Sequence, residues 1–158
     1  MRIAALQLPY PKTKTHQSAK AYQNEILHRL KTIAPDAAEL LVLPAYINAP
    51  GLLESNLLFD LVKTHGENFI EQISFQANRL ESLICVGTLY QKSVSQWVNR
   101  TWLFGPNGEP ITWYDKIHLT NKERELGLIA GSDCVVAEHD GVRFGFAVCS
   151  DLYFPAYF

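Results

Sequence analysis

Strand-like and helix-like periods alternate over the first 43 residues, and this order most limits what the chain can fold into. Residues 2–8 form a short apolar run. A helix is expected over residues 18–34, where Ala19, Tyr22, Ile26, Leu30 and Ile33 step by three or four and so share one face. Pro35 stops it, and residues 39–43 form a second apolar run closed by Pro44. Two apolar strands joined through an amphipathic helix make a βαβ unit, which needs a sheet covered by helices.

The pattern then changes. A weak helical segment over residues 53–62 is broken by His65-Gly66 from a clearer helix over 67–80, and a strand is expected over 83–89. Segments 97–104 and 110–114 flank Pro106-Asn107-Gly108. Segments 134–139 and 142–148 flank Asp140-Gly141. Asn-Gly and Asp-Gly suit hairpin turns because both residues accept positive φ. The expectation is one mixed α/β domain over residues 1–158, with parallel strands first and hairpins after.

Composition excludes several classes. The net charge is −2, and the Lys and Arg residues are scattered, which argues against nucleic acid and anionic membranes. No apolar run nears the roughly 20 residues of a membrane span, and residues 1–8 are too short a run for a signal peptide. Cys85, Cys134 and Cys149 are odd in number and contain no CxxC pair. They argue against a disulfide framework or zinc site and for a reducing, cytoplasmic setting. Cys85 and Cys134 read as core residues within strands. Asn99-Arg100-Thr101 is a sequon read as chance.

Three segments carry chemistry. Leu43-Pro44-Ala45-Tyr46 follows a buried strand. Tyr114-Asp115-Lys116-Ile117-His118 closes a hairpin strand. Val148-Cys149-Ser150-Asp151 ends another. In this order and spacing the chain resembles, over its whole length, the nitrilase superfamily of carbon–nitrogen hydrolases, which place a Glu, a Lys and a Cys in three such strand-end segments.

The resemblance implies an α-β-β-α sandwich, here incomplete at its C-terminal side, and hydrolysis of small linear amides without cofactor or metal. Cys149 would be the nucleophile and Lys116 the oxyanion donor. A second carboxylate would be Glu123, with Glu125 as the alternative. These types suit the task. A thiolate splits amide cleavage into two easier steps through a thioester. A carboxylate takes the thiol proton and later activates water. An ammonium stabilises the developing oxyanion. His118 is expected to make a structural hydrogen bond rather than a Cys–His dyad.

The chain departs from the pattern at the base. Ala45 stands where the family has Glu, and a methyl group accepts no proton. Losing a positioned base costs about 10²–10⁴-fold in rate. Glu39 and Glu54 are poorly placed to substitute. Ala156 follows Phe154-Pro155 where the family often has another Glu. Absent or severely reduced activity is therefore expected. The rival readings are a catalytically dead binding or structural subunit and, last, a thiol redox sensor at Cys149. The chain ends nine residues after Cys149, so association with a missing C-terminal half, or homo-oligomerisation, is expected.

Overall fold

The computed structural model describes residues 1–9, 11–12, 15–50 and 55–154. Glu54 and Ala156 lie outside them. The elements are β1 (Ile3–Ala5), α1 (His16–Thr32), β2 (Leu40–Val42), α2 (Ser55–Leu80), β3 (Leu83–Ser93), β4 (Gln96–Phe104), β5 (Pro110–Asp115), α3 (Asn121–Glu125), β6 (Val136–His139), β7 (Val142–Gly145) and a 3-10 turn (Cys149–Tyr153).

Five strands form one mixed sheet in the order β1-β2-β3-β4-β5. β1, β2 and β3 run parallel, whereas β4 and β5 return antiparallel. β6 and β7 make a separate two-stranded hairpin. The mixed α/β architecture expected from the alternating periods is the one observed.

Side-chain alternation along the strands separates two cores. Leu41, Ile84, Val86 and Phe104 face α1 and α2, where Ile26, Leu30, Phe69, Ile73 and Leu80 cover them. Leu40, Leu83, Leu103 and Tyr114 face the other way, toward Ala137 of β6 and Phe146 and Val148, which follow β7. The described layers are therefore helices, sheet and hairpin, the first three layers of the expected sandwich.

α1 begins two residues earlier than its apolar period. Thr15 caps it through a capping box with Ser18, and each side chain bonds the other's backbone N–H at 3.1 Å. α2 differs more. It runs unbroken from Ser55 to Leu80, straight through His65-Gly66. A glycine inside a helix costs about 1 kcal/mol. Burial of Leu58, Leu61 and Val62 on one side of Gly66 and Phe69, Ile73, Ala77 and Leu80 on the other outweighs that cost. A Cβ at Gly66 would lie 3.0 Å from Val62 Cγ1, so that side chain would have to shift by a few tenths of an ångström to admit one.

Three further expectations change. β3 continues to Ser93 and forms a long hairpin with β4. At the Asn107-Gly108 turn only Gly108 takes positive φ, at 83°, because this is a longer loop closed by Gly105 N–H to the Glu109 carbonyl at 2.8 Å. At Asp140-Gly141 both residues are left-handed, as expected, with φ of 49° and 75°. Cys134 is exposed and precedes β6, so it is not a core residue, while Cys85 is half-buried in β3. No described helix is long and apolar enough to cross a membrane.

Candidate active site

Two registers deliver Lys116. Arg100 on β4 pairs directly with Asp115 on β5 through bonds of 2.6 and 2.8 Å. Its guanidinium lies 4.2 Å from the Tyr90 ring centre and 5.2 Å from those of Trp102 and Trp113. This clamp fixes where β5 ends. Lys116 N–H then bonds the Asn99 carbonyl, and Gly131 N–H bonds the Lys116 carbonyl, both at 2.9 Å. A Cβ on Gly131 would overlap the Asp115 carbonyl group, so only glycine permits that approach.

Lys116 is turned inward and meets Glu123 at 2.6 Å. Thr120 caps α3 and forms a capping box with Glu123, which brings the carboxylate back over the helix start. The carboxylate is engaged at both oxygens. Oε1 accepts from Tyr46 OH at 2.8 Å and Asn99 Nδ2 at 2.9 Å. Oε2 accepts from Lys116, from Thr120 N–H at 2.8 Å and from the Thr120 hydroxyl at 3.0 Å. Burial alone would raise its pKa; the bonds from Lys116, Thr120, Asn99 and Tyr46 outweigh it and hold the carboxyl at about 2. Tyr46 is pushed well above the ordinary phenol range, first by burial, then by the Glu123 carboxylate and, less strongly, by Cys149. Glu125, the alternative, is exposed on the same short helix.

Cys149 is solvent-exposed and opens the 3-10 turn in a left-handed conformation, with φ of 52°. A non-glycine residue in that region costs roughly 1–3 kcal/mol, so the surroundings must hold it there. Asp151 does so in part, accepting Val148 N–H at 2.9 Å. His118 bonds Asp151 through both its backbone N–H, at 2.8 Å, and its Nδ1, at 3.0 Å.

The loop after β2 supplies the third side. Leu43 N–H bonds the Cys85 carbonyl at 2.8 Å and Ile47 N–H bonds the Gly87 carbonyl at 3.1 Å, so residues 43–47 run along β3. Asn48 extends this contact by bonding Leu89 N–H and C=O at 2.9 and 2.8 Å. Tyr46 is left-handed with φ of 53°. Ala45 packs against the cluster that holds Tyr114, Phe146 and Val148, the residue before the cysteine. Glu39 precedes β2, at the opposite end of that strand from Ala45, and its carboxylate accepts Arg2 N–H at 2.6 Å.

The structure thus brings Lys116, Glu123 and Tyr46 together and leaves Glu125 and Glu39 outside this cluster. Sequence reasoning missed Tyr46, Asn99, Thr120 and Tyr114. Thr120-Asn121-Lys122-Glu123 is a capping-box pattern that carried a readable signal. Asn99, whose sequon was set aside as chance, is buried in β4 against Glu123. Among the described residues no group of three or more His, Cys, Asp and Glu side chains is placed to hold a metal ion.

The same fold recurs among known structures. An amidase from a Nesterenkonia species superposes with a TM-score of 0.81 at 17% identity, over 99% of this chain and 58% of that one. A carbon–nitrogen hydrolase from Helicobacter pylori gives 0.75 at 17% identity, over 98% of this chain and 53% of that one. A carbon–nitrogen hydrolase superfamily protein from Xanthomonas campestris, with an arsenic adduct in its active site, gives 0.70 at 24% identity, over 96% and 54%. The chain spans little more than half the length of these structures. Comparison with curated proteins found no match. The carbon–nitrogen hydrolase family profile matches residues 2–158. By that match, with the nitrilase-superfamily fold around it, the chain belongs to the carbon–nitrogen hydrolase family.

Proposed function

We propose that this chain carries the Cys149, Lys116 and Glu123 part of an amidase-type site for small linear amides, with the general base missing at Ala45. Cys149 would attack the amide carbon while Lys116 stabilises the oxyanion. The carbon–sulfur bond forms, the carbon–nitrogen bond breaks and the thiol proton ends on the departing amine; water then hydrolyses the thioester to the carboxylic acid and restores the thiol. Glu123, fully engaged by donors and held at about 2, is poorly suited to take the thiol proton and instead orients Lys116. The observation that carries this reading is the buried Lys116–Glu123 pair, which Glu123 joins by hydrogen bond to Tyr46, the residue after Ala45. Turnover in this form is expected to be absent or severely reduced.

The test is ammonia release from a panel of small amides by the natural chain, Ala45→Glu and Cys149→Ala. Turnover by Ala45→Glu that the cysteine variant lacks supports nucleophile and base position together. A glutamate-to-glutamine variant of the Nesterenkonia amidase shows Michael addition of acrylamide at its active-site cysteine. The same reagent gives a second readout: a thioether on Cys149, found by peptide mass, formed faster than on exposed Cys134. Ala45 also favours a second reading, a scaffold that binds amides without turning them over. Amide binding by calorimetry, with Ala45→Glu still inactive, would select it.

A further inference from the structure

Asp151 is wholly buried, and its two oxygens join two segments that are distant in sequence. Oδ2 accepts from Val148 N–H at 2.9 Å, inside the turn that carries Cys149, and from Tyr114 OH at 2.7 Å, on β5. Oδ1 accepts from His118 N–H at 2.8 Å and faces His118 Nδ1 at 3.0 Å. The phenol oxygen of Tyr114 in turn accepts Ile117 N–H at 3.1 Å. Lys116 therefore sits within a stretch tied to this carboxylate on both sides. Two more contacts close the same seam: Ser150 Oγ donates to the His118 carbonyl, and the His118 ring stacks on Phe154 with centroids 3.8 Å apart.

We propose that Asp151 is a positioning residue that locks the end of β5, with Lys116, to the left-handed turn at Cys149. This rests on the reading of Cys149 as nucleophile and Lys116 as oxyanion donor. The physical case has two parts. A left-handed cysteine is retained only where the surroundings over-determine it, and here the Asp151 carboxylate bond to Val148 N–H reinforces the backbone bond from Asp151 N–H to the Val148 carbonyl at 3.1 Å. Covalent chemistry also needs both groups in near-attack geometry, where a displacement of about 1 Å can cost about a hundredfold. One carboxylate bonded to both segments makes their separation a fixed quantity rather than a property of two independent loops. The fully satisfied, buried anion is costly to disrupt, which makes the lock stiff.

The experiment uses the full chain and two variants, Asp151→Asn and Tyr114→Phe, the second removing a single hydroxyl in case the first fails to fold. Amide hydrogen exchange reads the lock directly and does not depend on which cysteine is reactive. Exchange at His118 and at Val148 should rise together, by about fivefold or more for the loss of one bond of about 1 kcal/mol, while Ile84 and Val86 in the main sheet stay unchanged. Acrylamide thioether formation at Cys149 should fall by about tenfold, with Cys134 unaffected. Exchange rising on one segment only, or on neither, overturns the lock. Exchange rising on both with unchanged Cys149 reactivity overturns the positioning role. A natural chain whose Cys149 reacts no faster than Cys134 instead sinks the nucleophile assignment, and the exchange data still decide whether Asp151 joins the two segments.

Discussion

Lys116 Nζ lies 2.6 Å from Glu123 Oε2, with the two side chains only 2% and 6% exposed. An ion pair so deep is stable only while both members and their hydrogen bonds are present. Glu123→Gln would leave the Lys116 ammonium buried without its counter-charge and should destabilise the chain by about 3–5 kcal/mol. Lys116→Met combined with Glu123→Gln should cost less than either single change, because no uncompensated charge remains. Urea unfolding of the three variants checks this, and additive costs would sink it.

The same carboxylate makes stability depend on acid. Its folded pKa of about 2 lies below the ordinary 4.5, so the unfolded chain takes up the proton first. The contribution is therefore fully present above about pH 4.5 and is lost as pH falls toward 2. A shift of this size corresponds to about 3 kcal/mol. Asp151 is depressed as well, because donors from Val148, His118 and Tyr114 outweigh its burial, and it steepens the same acid limb. Urea midpoints measured between about pH 5 and pH 2 should fall steeply for the natural chain. They should fall less for Glu123→Gln. Parallel curves would contradict the assignment.

Gly87 lies against the backbone of Ala45: a Cβ there would sit 2.6 Å from the Ala45 Cα. Gly87→Ala must therefore push the loop that carries Ala45 and Tyr46 off β3, at a cost of about 1–3 kcal/mol or more. The displaced Tyr46 should loosen its bond to Glu123 and broaden the side-chain resonances of both. A variant with unchanged melting temperature and an unchanged Tyr46 environment by NMR would show that the loop yields freely.

The three cysteines should sort by environment. Burial pushes the Cys85 thiol up to about 11, whereas Cys134 and Cys149 are exposed. Iodoacetamide at about pH 8 should label Cys134 and Cys149 and leave Cys85 unmodified until the chain unfolds, because so little of a thiol with that pKa is ionised there. Peptide mass mapping with and without denaturant reads this, and early labelling of Cys85 would contradict its placement.

Much of the framework was legible in the residue pattern, for identifiable reasons. α1 declared itself because Ala19, Tyr22, Ile26 and Leu30 make a single face that is buried in the fold. The Asp140-Gly141 hairpin did so because only left-handed backbone closes it. The continuity of α2 was not legible. Local propensity weakens a helix at Gly66, and burial of Leu58, Leu61, Phe69 and Ile73 on either side of it carries the helix through.

The sequence by itself determined which residues were available for chemistry: a cysteine, a lysine and nearby carboxylates, and an alanine at position 45. Those are covalent facts that no folding alters. Only the tertiary structure shows that Glu123, and not Glu125, is turned inward by the Thr120 cap against Lys116. It alone placed Asn99, Tyr46 and Asp151, since partners 24, 77 and 33 residues apart meet through tertiary packing rather than local periodicity. Periodicity reports which face of an element is buried; it carries no information about which distant segment will lie against that face.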